Sequence, residues 1–478
     1  MQYDVIIIGA GLGGLTAGAK LAKEGKKVLL VEQHSVPGGC ATTFKRKDFL
    51  FEVGLHEMDG FQKRDVKSKI FRDLDVFNNV DFVKVPEFYR FVYKDYNIVI
   101  PHDPEEAKTV LLKHFPEDQK GIEAYFYQIL NAKEINKKNE EKEERNLGEF
   151  LDSIIKNKDL KLALLGNLGY FHDDPYSLSL SYYSMAQGSY YSGGGYFIKG
   201  GSQKLSDYLS RFITENGGQV IFNHLVTNIL IEDDKAIGIS YKKNNTNNIL
   251  TAYANNIISN SSIPLTTNTL LPKKQRDILK PFVDKRKIGA SLLTIYLGFN
   301  KPLKELEYNY YSTFIFDDSI NNIADIKNNN QGDFKNRSFT FIDYGQIDSA
   351  LAPKGKSVGV ICCIDYIKDW ERLDKKGYVS KKEEVAQIFI DKLELLIPGI
   401  KSIIDYYEVG TSKTIKRYTL NPEGAVYGFS QTPLRAKLEP IKSIKNLYFS
   451  SAWTKIGGGF SGAIFNGYLC AFDIIRKK

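Results

Sequence analysis

Residues 3–32 read YDVIIIGAGLGGLTAGAKLAKEGKKVLLVE, and this stretch decides the fold. An apolar run from Val5 to Ile8 reads as a buried strand. Gly9, Gly11 and Gly14 form a turn, Ala17, Gly18 and Ala22 put small side chains on one face of a helix, and a second apolar strand ends at Glu32. Strand, turn, helix, strand and acid in that order make a βαβ dinucleotide fingerprint. Each residue type has a physical task. Gly9 permits the tight turn, Gly11 lets backbone approach a pyrophosphate, and Gly14 with Gly18 lets the helix lie close on the sheet. The helix N-terminus faces the phosphates with free amides and a positive dipole end. Glu32 accepts hydrogen bonds from the adenosine ribose hydroxyls, and an acid there disfavours a 2′-phosphate.

At 478 residues the chain has the length for two or three domains with large cores. The apolar run from Val5 to Ala22 follows Asp4, contains Lys20 and keeps its glycines at fingerprint spacing, so it is not a signal peptide. No other stretch approaches the roughly 18 apolar residues of a spanning helix. The expectation is a cytoplasmic protein, soluble or peripheral on a membrane. Sixty-five basic residues against 57 acidic give a net charge of +8, spread along the chain and not gathered into a block. Nucleic acid is therefore not expected as a partner, whereas a basic surface suits anionic lipid head groups as well as plain solvent. Cys40, Cys362, Cys363 and Cys470 form no CxxC pair, and the six histidines form no HxH or HExxH, so neither a disulfide framework nor a metal site is expected.

Beyond Glu32, Gly38 and Gly39 again let backbone crowd against something flat or charged, and a basic stretch (Lys45 to Lys47) leads into an apolar strand from Phe49 to Val53 closed by Gly54. That order suits a cofactor continuing past its pyrophosphate, FAD more readily than NAD. Residues 61–194 carry amphipathic helical stretches, a short strand pair (88–93 and 97–100), and the charged run NKKNEEKEERN from Asn136, read as a solvated helix face or loop. SYYSMAQGSYYSGGGYF, 181–197, packs tyrosines around glycines, either as a surface loop with aromatic anchors or as an aromatic wall around a long apolar ligand. From Gly200 the nucleotide-domain pattern returns: a helix over 200–218, one strand in VIFNHLVTNIL (220–230), a hairpin strand in AIGISY and a buried strand in NNIISN. The cofactor domain is thus discontinuous, with 1–60, 195–264 and 441–478 assigned to it. Segments 61–194 and 265–440, the latter with Asn-rich loops and strands SLLTIYLGF and SVGVICCID, form an α+β substrate-binding domain, since two insertions from one nucleotide domain meet beside its ligand. At the C-terminus a strand (447–450) is followed by a glycine-rich turn and an apolar helix from about Ser461. Free amides at such a helix start suit a flavin's pyrimidine edge. The GxSxG pattern of a nucleophile elbow fails around Ser461, because residue 463 is Ala.

Three blocks, 9–44, YFIKGGSQKL (196–205) and LYFSSAWTKIGGGFSGAIFNG (447–467), resemble the FAD-dependent family that contains phytoene desaturases, carotenoid isomerases and retinol saturases. The resemblance runs along essentially the whole chain and is specific in its cofactor parts. PGGCATTF with FEVGLHEMDG, and NPEGAVYGF from Asn421, look most like the isomerase and saturase branch. It implies an α/β fold with a Rossmann-like FAD domain and amine oxidase-like architecture. It also implies that Gly9, Gly11, Gly14, Glu32, Gly38, Gly39, Gly458 and Gly462 contact the cofactor, that Val226 meets the adenine, and that Leu12, Gly13, Gln33, Cys40 and Ala463 belong to the same site. Amine oxidases share the first block.

A second GxGxxG between strands is absent, so electrons are expected to pass to or from a quinone, oxygen or another protein and not a separate nicotinamide domain. The resemblance implies an apolar tunnel against the flavin, where a conjugated polyene is saturated, desaturated or isomerised, with peripheral membrane contact to deliver a lipid. Two other classes stay open: a flavin amine oxidase-like enzyme, predicting a polar amine pocket beside an aromatic cage, and a non-catalytic flavin-binding lipid carrier, predicting no turnover. For proton transfer the candidates are His56 and Glu57 in LHEMDG, then Tyr427 in GAVYGF. Strand alternation would put His56 on one face and Leu55 with Glu57 on the other, so that only one of the two faces the flavin.

Overall fold

The fingerprint stretch folds as strand Gln2–Ile8, helix Leu12–Lys23 and strand Val28–Val31 in a computed structural model of the chain, which describes residues 2–62, 65–138, 145–433, 435 and 443–477. Val5, Ile6 and Ile7 are fully buried, each contributing roughly 1.5–3 kcal/mol relative to an exposed side chain. Burial on both faces explains the unbroken apolar run. Gln2–Ile8 lies in the middle of a seven-stranded sheet, parallel to Val28–Val31 on one side and to Ile249–Ser259 on the other. Gln219–Ile221 extends the sheet beyond Val28–Val31, and Leu447–Phe449 joins Ile249–Ser259, both in parallel. The antiparallel strands Lys235–Lys243 and His224–Glu232 complete it.

Small residues act where elements cross. A Cβ on Gly13 would overlap the Ser450 carbonyl, and one on Gly467 the Gly13 carbonyl, so the fingerprint helix and the C-terminal helix Gly459–Arg476 touch backbone to backbone. Gly18 accommodates Ile213 of helix Gln203–Glu215 and Ile7 of the sheet. Gly14 acts differently from its expected role in laying the helix on the sheet: its Cβ would overlap the Gly9 carbonyl, so it closes the turn on itself.

A second seven-stranded sheet orders its strands as Ile404–Gly410, Ser291–Phe299, Ser357–Asp365, Phe339–Asp343, Ser312–Ile315, Tyr89–Tyr93 and Tyr96–Ile100. Among the described residues its one parallel pairing, Thr313 with Arg90 through Ile315 with Val92, joins a strand of 61–194 to one of 265–440. A three-stranded sheet pairs Met58–Asp59 and Phe82–Lys84 antiparallel on either side of Gly195–Ile198.

Three local expectations are corrected. VIFNHLVTNIL is two strands, because Gln219–Ile221 runs parallel with Val28–Val31 whereas His224 onward turns antiparallel to Lys235–Lys243; Asn223, at φ +58°, makes the bend. SYYSMAQGSYYSG is no loop but helix Leu180–Gly193, opened by the Ser179 side chain accepting from the Tyr182 amide. Its tyrosines fall into two stripes: Tyr183 and Tyr191 are buried in the core of the second lobe, and Tyr182, Ala186 and Tyr190 face a cavity. The Asn-rich stretch 321–336 holds a helix, Asp325–Gln331. Of the charged run from Asn136, residues 136–138 end helix Ala132–Lys138, and 139–144 lie outside the described residues.

Candidate active site

One cavity of about 1100 Å³ extends from the glycine turn into the second lobe. A single small-ligand pocket usually measures roughly 300–1,000 Å³, so this one stands at the large end, with room for a ligand of dinucleotide size. Gly9, Gly11, Leu12, Gly13, Glu32, Gln33, Gly38, Gly39, Cys40 and Val226 line one end, and Gly458, Gly462 and Ala463 line its wall further along. Gly14 is not in the wall.

The glycine end is a backbone cradle. Gly9 at φ +95° turns the chain out of the sheet, and Gly38 at φ +124° donates its amide to the Ala10 carbonyl at 2.8 Å, bringing the second glycine pair against Gly11. Helix Leu12–Lys23 starts at Gly11 with no side chain on its free amides and no acid in its first turn; the C-terminal helix starts at Gly458 in the same way. Two uncapped helix N-termini thus border one cavity, each a ready place for an anionic or electron-rich group. Glu32 is held by the amides of Ala10 and His34, 2.7 Å from each, with burial raising its carboxyl above the ordinary range. Carboxylate oxygens accept more than one bond, so lone pairs remain for ribose hydroxyls. A Cβ at Gly458 would strike Tyr427 and one at Gly462 would strike Gly457, so these two glycines admit neighbouring backbone as well as bordering the cavity. The residues present fit a flavin dinucleotide.

The other end is aromatic: Tyr170, Phe171, Tyr182, Tyr190, Phe314 and Tyr427 line it. His56 and Glu57 both reach the cavity wall, against the alternation expected of a strand. Residues 53–57 are not a strand, because side chains satisfy their backbone. Glu52 accepts from the amides of Gly54 and Leu55 at 3.1 and 3.0 Å, Tyr344 donates to the Leu55 carbonyl at 2.9 Å, and Tyr311 donates to that of His56. The Glu57 carboxyl lies 4.0 Å from His102 Nε2 without a hydrogen bond. Burial, with Glu87 and Asp59 adding, pushes Glu57 well up, and burial pushes His102 down to about 4, so both shifts disfavour an ion pair between them. His56 is likewise held down, to about 4, by burial, and burial raises the Tyr427 phenol.

Several site residues carry no sequence signature. Asn260, immediately after the Ile249–Ser259 strand, donates to the Gly9 carbonyl at 3.2 Å, and its amide stands 3.0 Å from where a Gly11 Cβ would be. Lys67 is wholly buried, 2.9 Å from Asp59 Oδ1 and donating to Ser461 Oγ at 3.0 Å; Ser189 and Ser461 both donate to Asp59. This knot ties the Met58–Asp59 strand to three helices under the cavity, and it accounts for Ser461 without a hydrolytic role. Only the position of Asn260 at the carboxyl end of a strand beside the fingerprint was a usable signal.

A cavity at the carboxyl ends of a parallel sheet, cradled by glycines and continued by an aromatic lobe, defines a flavin-dependent oxidoreductase. The chain belongs to the family of flavin containing amine oxidoreductases, whose profile matches residues 12–475. It is 27% identical to a chloroplastic prolycopene isomerase of Daucus carota over 99% of this chain and 80% of that protein. It is 25% identical to an all-trans-retinol 13,14-reductase of Danio rerio over 100% of this chain and 86% of the relative. An oxidoreductase from Methanosarcina mazei has the same fold, with a TM-score of 0.68 at 18% identity over all of both chains.

Proposed function

We propose that this protein is an FAD-dependent oxidoreductase acting on carbon–carbon double bonds of a long conjugated polyene lipid of carotenoid or retinoid type, by saturation, desaturation or cis–trans isomerisation. The names of the isomerase and reductase relatives motivate the substrate class. The observation that carries it is how the cavity spends its carboxyls. Glu32 holds two amides, Asp59 holds Lys67 and two serines, Asp65 caps a helix through the Ser68 amide, and burial pushes the Glu57 carboxyl well up. Each carboxyl of the described lining residues thus has a partner inside the protein or is pushed towards its neutral form, and the end away from the glycines is walled by aromatic side chains. This argues against the amine oxidase-like alternative.

In this reading segments 1–60, 195–264 and 441–478 hold the cofactor, through Gly9, Gly11, Glu32, Gly38, Gly39, Val226 and the turn at Gly458 to Ala463, and 61–194 with 265–440 hold the polyene. FAD, when bound, supplies hydride acceptance and donation. The chain's own part is to bind the polyene by aromatic area, exclude water, and handle one proton, with His56, Glu57 and Tyr427 the candidates at the wall. Electrons would come from or go to a quinone, oxygen or another protein. Val66 and Met185, 56% and 48% exposed, belong to the cavity lining as well as to the surface, the pattern of a mouth that takes a lipid from a membrane. No helix among the described residues is long and apolar enough to cross a membrane.

Acid precipitation tests the cofactor assignment: FAD should be released into the supernatant, and flavin retained in the pellet or present only as FMN would refute it. Solvent extraction of the protein purified from its own cells should yield a polyene. A flavin-only extract together with turnover of amines would favour the amine oxidase reading, and a polyene that never changes under reducing or oxidising conditions would favour a carrier.

A further inference from the structure

His172 lies in the wall that separates the main cavity from a second chamber of about 10 Å³; Gln431 and Tyr427 belong to the same wall. A chamber of that size holds about one water molecule. Two polar atoms in the wall, His172 Nε2 and Gln431 Nε2, are buried without a hydrogen-bond partner, although such atoms rarely go unsatisfied. Behind the ring, His172 Nδ1 stands 2.9 Å from Asp173 Oδ1 and 3.0 Å from the Asp174 amide. The amide suits a bare Nδ1, with the ring neutral and its hydrogen on Nε2, and the carboxylate suits a hydrogen on Nδ1 as in the imidazolium, so the two contacts support both partners of a protonation change at this ring. Asp173 is fixed in turn by the Tyr366 hydroxyl, 2.6 Å from its other oxygen.

We propose that His172, oriented by Asp173, is the proton-exchanging group of the polyene end of the cavity, working through a water in the adjoining chamber. The inference rests on the functional reading above. In the reducing direction the imidazolium Nε2–H bond breaks and its proton passes to the water. The water gives a proton to one carbon of the double bond, the π pair forms the new C–H bond, and the hydride for the other carbon would be the chemistry supplied by a reduced flavin when bound. The imidazole keeps the N–H electron pair. In the oxidising direction the same path runs backwards. Burial alone would raise Asp173, but the His172 hydrogen bond and charge, with Tyr366 and Lys287, hold it well below the usual range, so it stays anionic behind the ring. The other charged or titratable groups around the dyad are Asp174, paired with Lys327 at 3.0 Å, and Tyr427.

The experiment combines two variants with two readouts. In holoenzyme labelled with ¹⁵N-histidine, the resonances lost in His172→Gln identify His172, and Asp173→Asn should change the Nδ1 and Nε2 shifts that report which ring nitrogen carries hydrogen. In steady state with a polyene substrate, His172→Gln should keep bound flavin and lose ~10²-fold or more in kcat, while Asp173→Asn should lower kcat with KM little changed. Ring resonances that ignore Asp173→Asn, or a flavin-replete His172→Gln with near-normal kcat, overturn the proposal. If wild-type protein turns over no polyene while the ring resonances still respond to Asp173→Asn, the dyad stands and the substrate reading falls.

Discussion

The two ends of the cavity are built by opposite means. At the glycine end the walls are backbone: positive-φ glycines, uncapped amides and carbonyls within van der Waals reach. At the aromatic end they are side chains brought from segments distant in sequence, with Tyr182 and Tyr190 on one helix, Phe314 on a strand of the second sheet, Tyr170 at the end of the short 3-10 helix Leu168–Tyr170, and His172 and Tyr427 on loops. A backbone cradle tolerates almost no substitution and serves one ligand class. A side-chain wall can be rebuilt residue by residue, which is how one fold comes to serve different substrates.

The contrast is broken most forcefully at the glycine end. Gly14→Val would drive its side chain into the Gly9 carbonyl, and the expected result is loss of 3 kcal/mol or more, about the upper range for overpacking, with flavin lost alongside the fold in thermal melts. Gly11→Ala meets only the Asn260 side-chain amide; it should fold nearly as well as wild type while binding flavin more weakly, which separates the cofactor role from the folding role.

Next in size is a pH effect at the aromatic end. His102 is held near 4 when folded against about 6.5 unfolded. Below pH 6.5 the unfolded chain therefore takes up a proton that the native protein refuses, and stability falls between pH 6.5 and 4, by roughly 3 kcal/mol at most. Glu57 works in the other window. Its raised carboxyl keeps a proton that the unfolded chain releases above about 4.5, so stability falls as pH rises from there. Denaturation across pH should show the acid-side loss shrink in His102→Gln, with His56, also held down to about 4, supplying a further part of it, and the alkaline-side loss shrink in Glu57→Gln, with the raised Glu32 carboxyl among those supplying the rest. Cavity-wall variants give a kinetic test of similar weight. Whichever of Glu57→Gln and His56→Ala removes a group in the proton path should keep flavin and lose ~10²-fold in turnover, and near-normal turnover in both would leave the proton to His172.

The smallest expected effect is at the mouth. In flotation with anionic vesicles, Val66→Asp with Met185→Asp should weaken binding severalfold without changing flavin content. Wild-type protein that fails to float at low salt would remove the membrane from the account.

What could be read from the sequence follows the same divide. Fingerprint glycines, the Glu32 position and the strands SLLTIYLGF and SVGVICCID were legible because local sterics and burial on both faces fix them. The helix Leu180–Gly193 was not. Its glycines suggested a loop, and only the i, i+4, i+8 spacing of Tyr182, Ala186 and Tyr190 carried the helical signal. The irregular path of 53–57 was equally hidden, since two of the side chains that satisfy it, Tyr311 and Tyr344, stand more than 250 residues away and only Glu52 is local. The buried knot of Lys67, Asp59 and Ser461 unites residues whose types alone suggest a surface lysine and a helix start.

The central claim is flavin-dependent chemistry on a polyene double bond, and the most direct measurement follows the polyene itself. Holoenzyme, oxidised in one sample and anaerobically reduced in another, is incubated with a carotenoid or retinoid in anionic vesicles, and the extracted polyene is analysed by chromatography and absorption. The account predicts conversion to a product with one double bond added, removed or geometrically inverted, dependent on bound flavin and on its redox state. A polyene recovered unchanged from both samples, while a primary amine is oxidised by the same preparation, would contradict it.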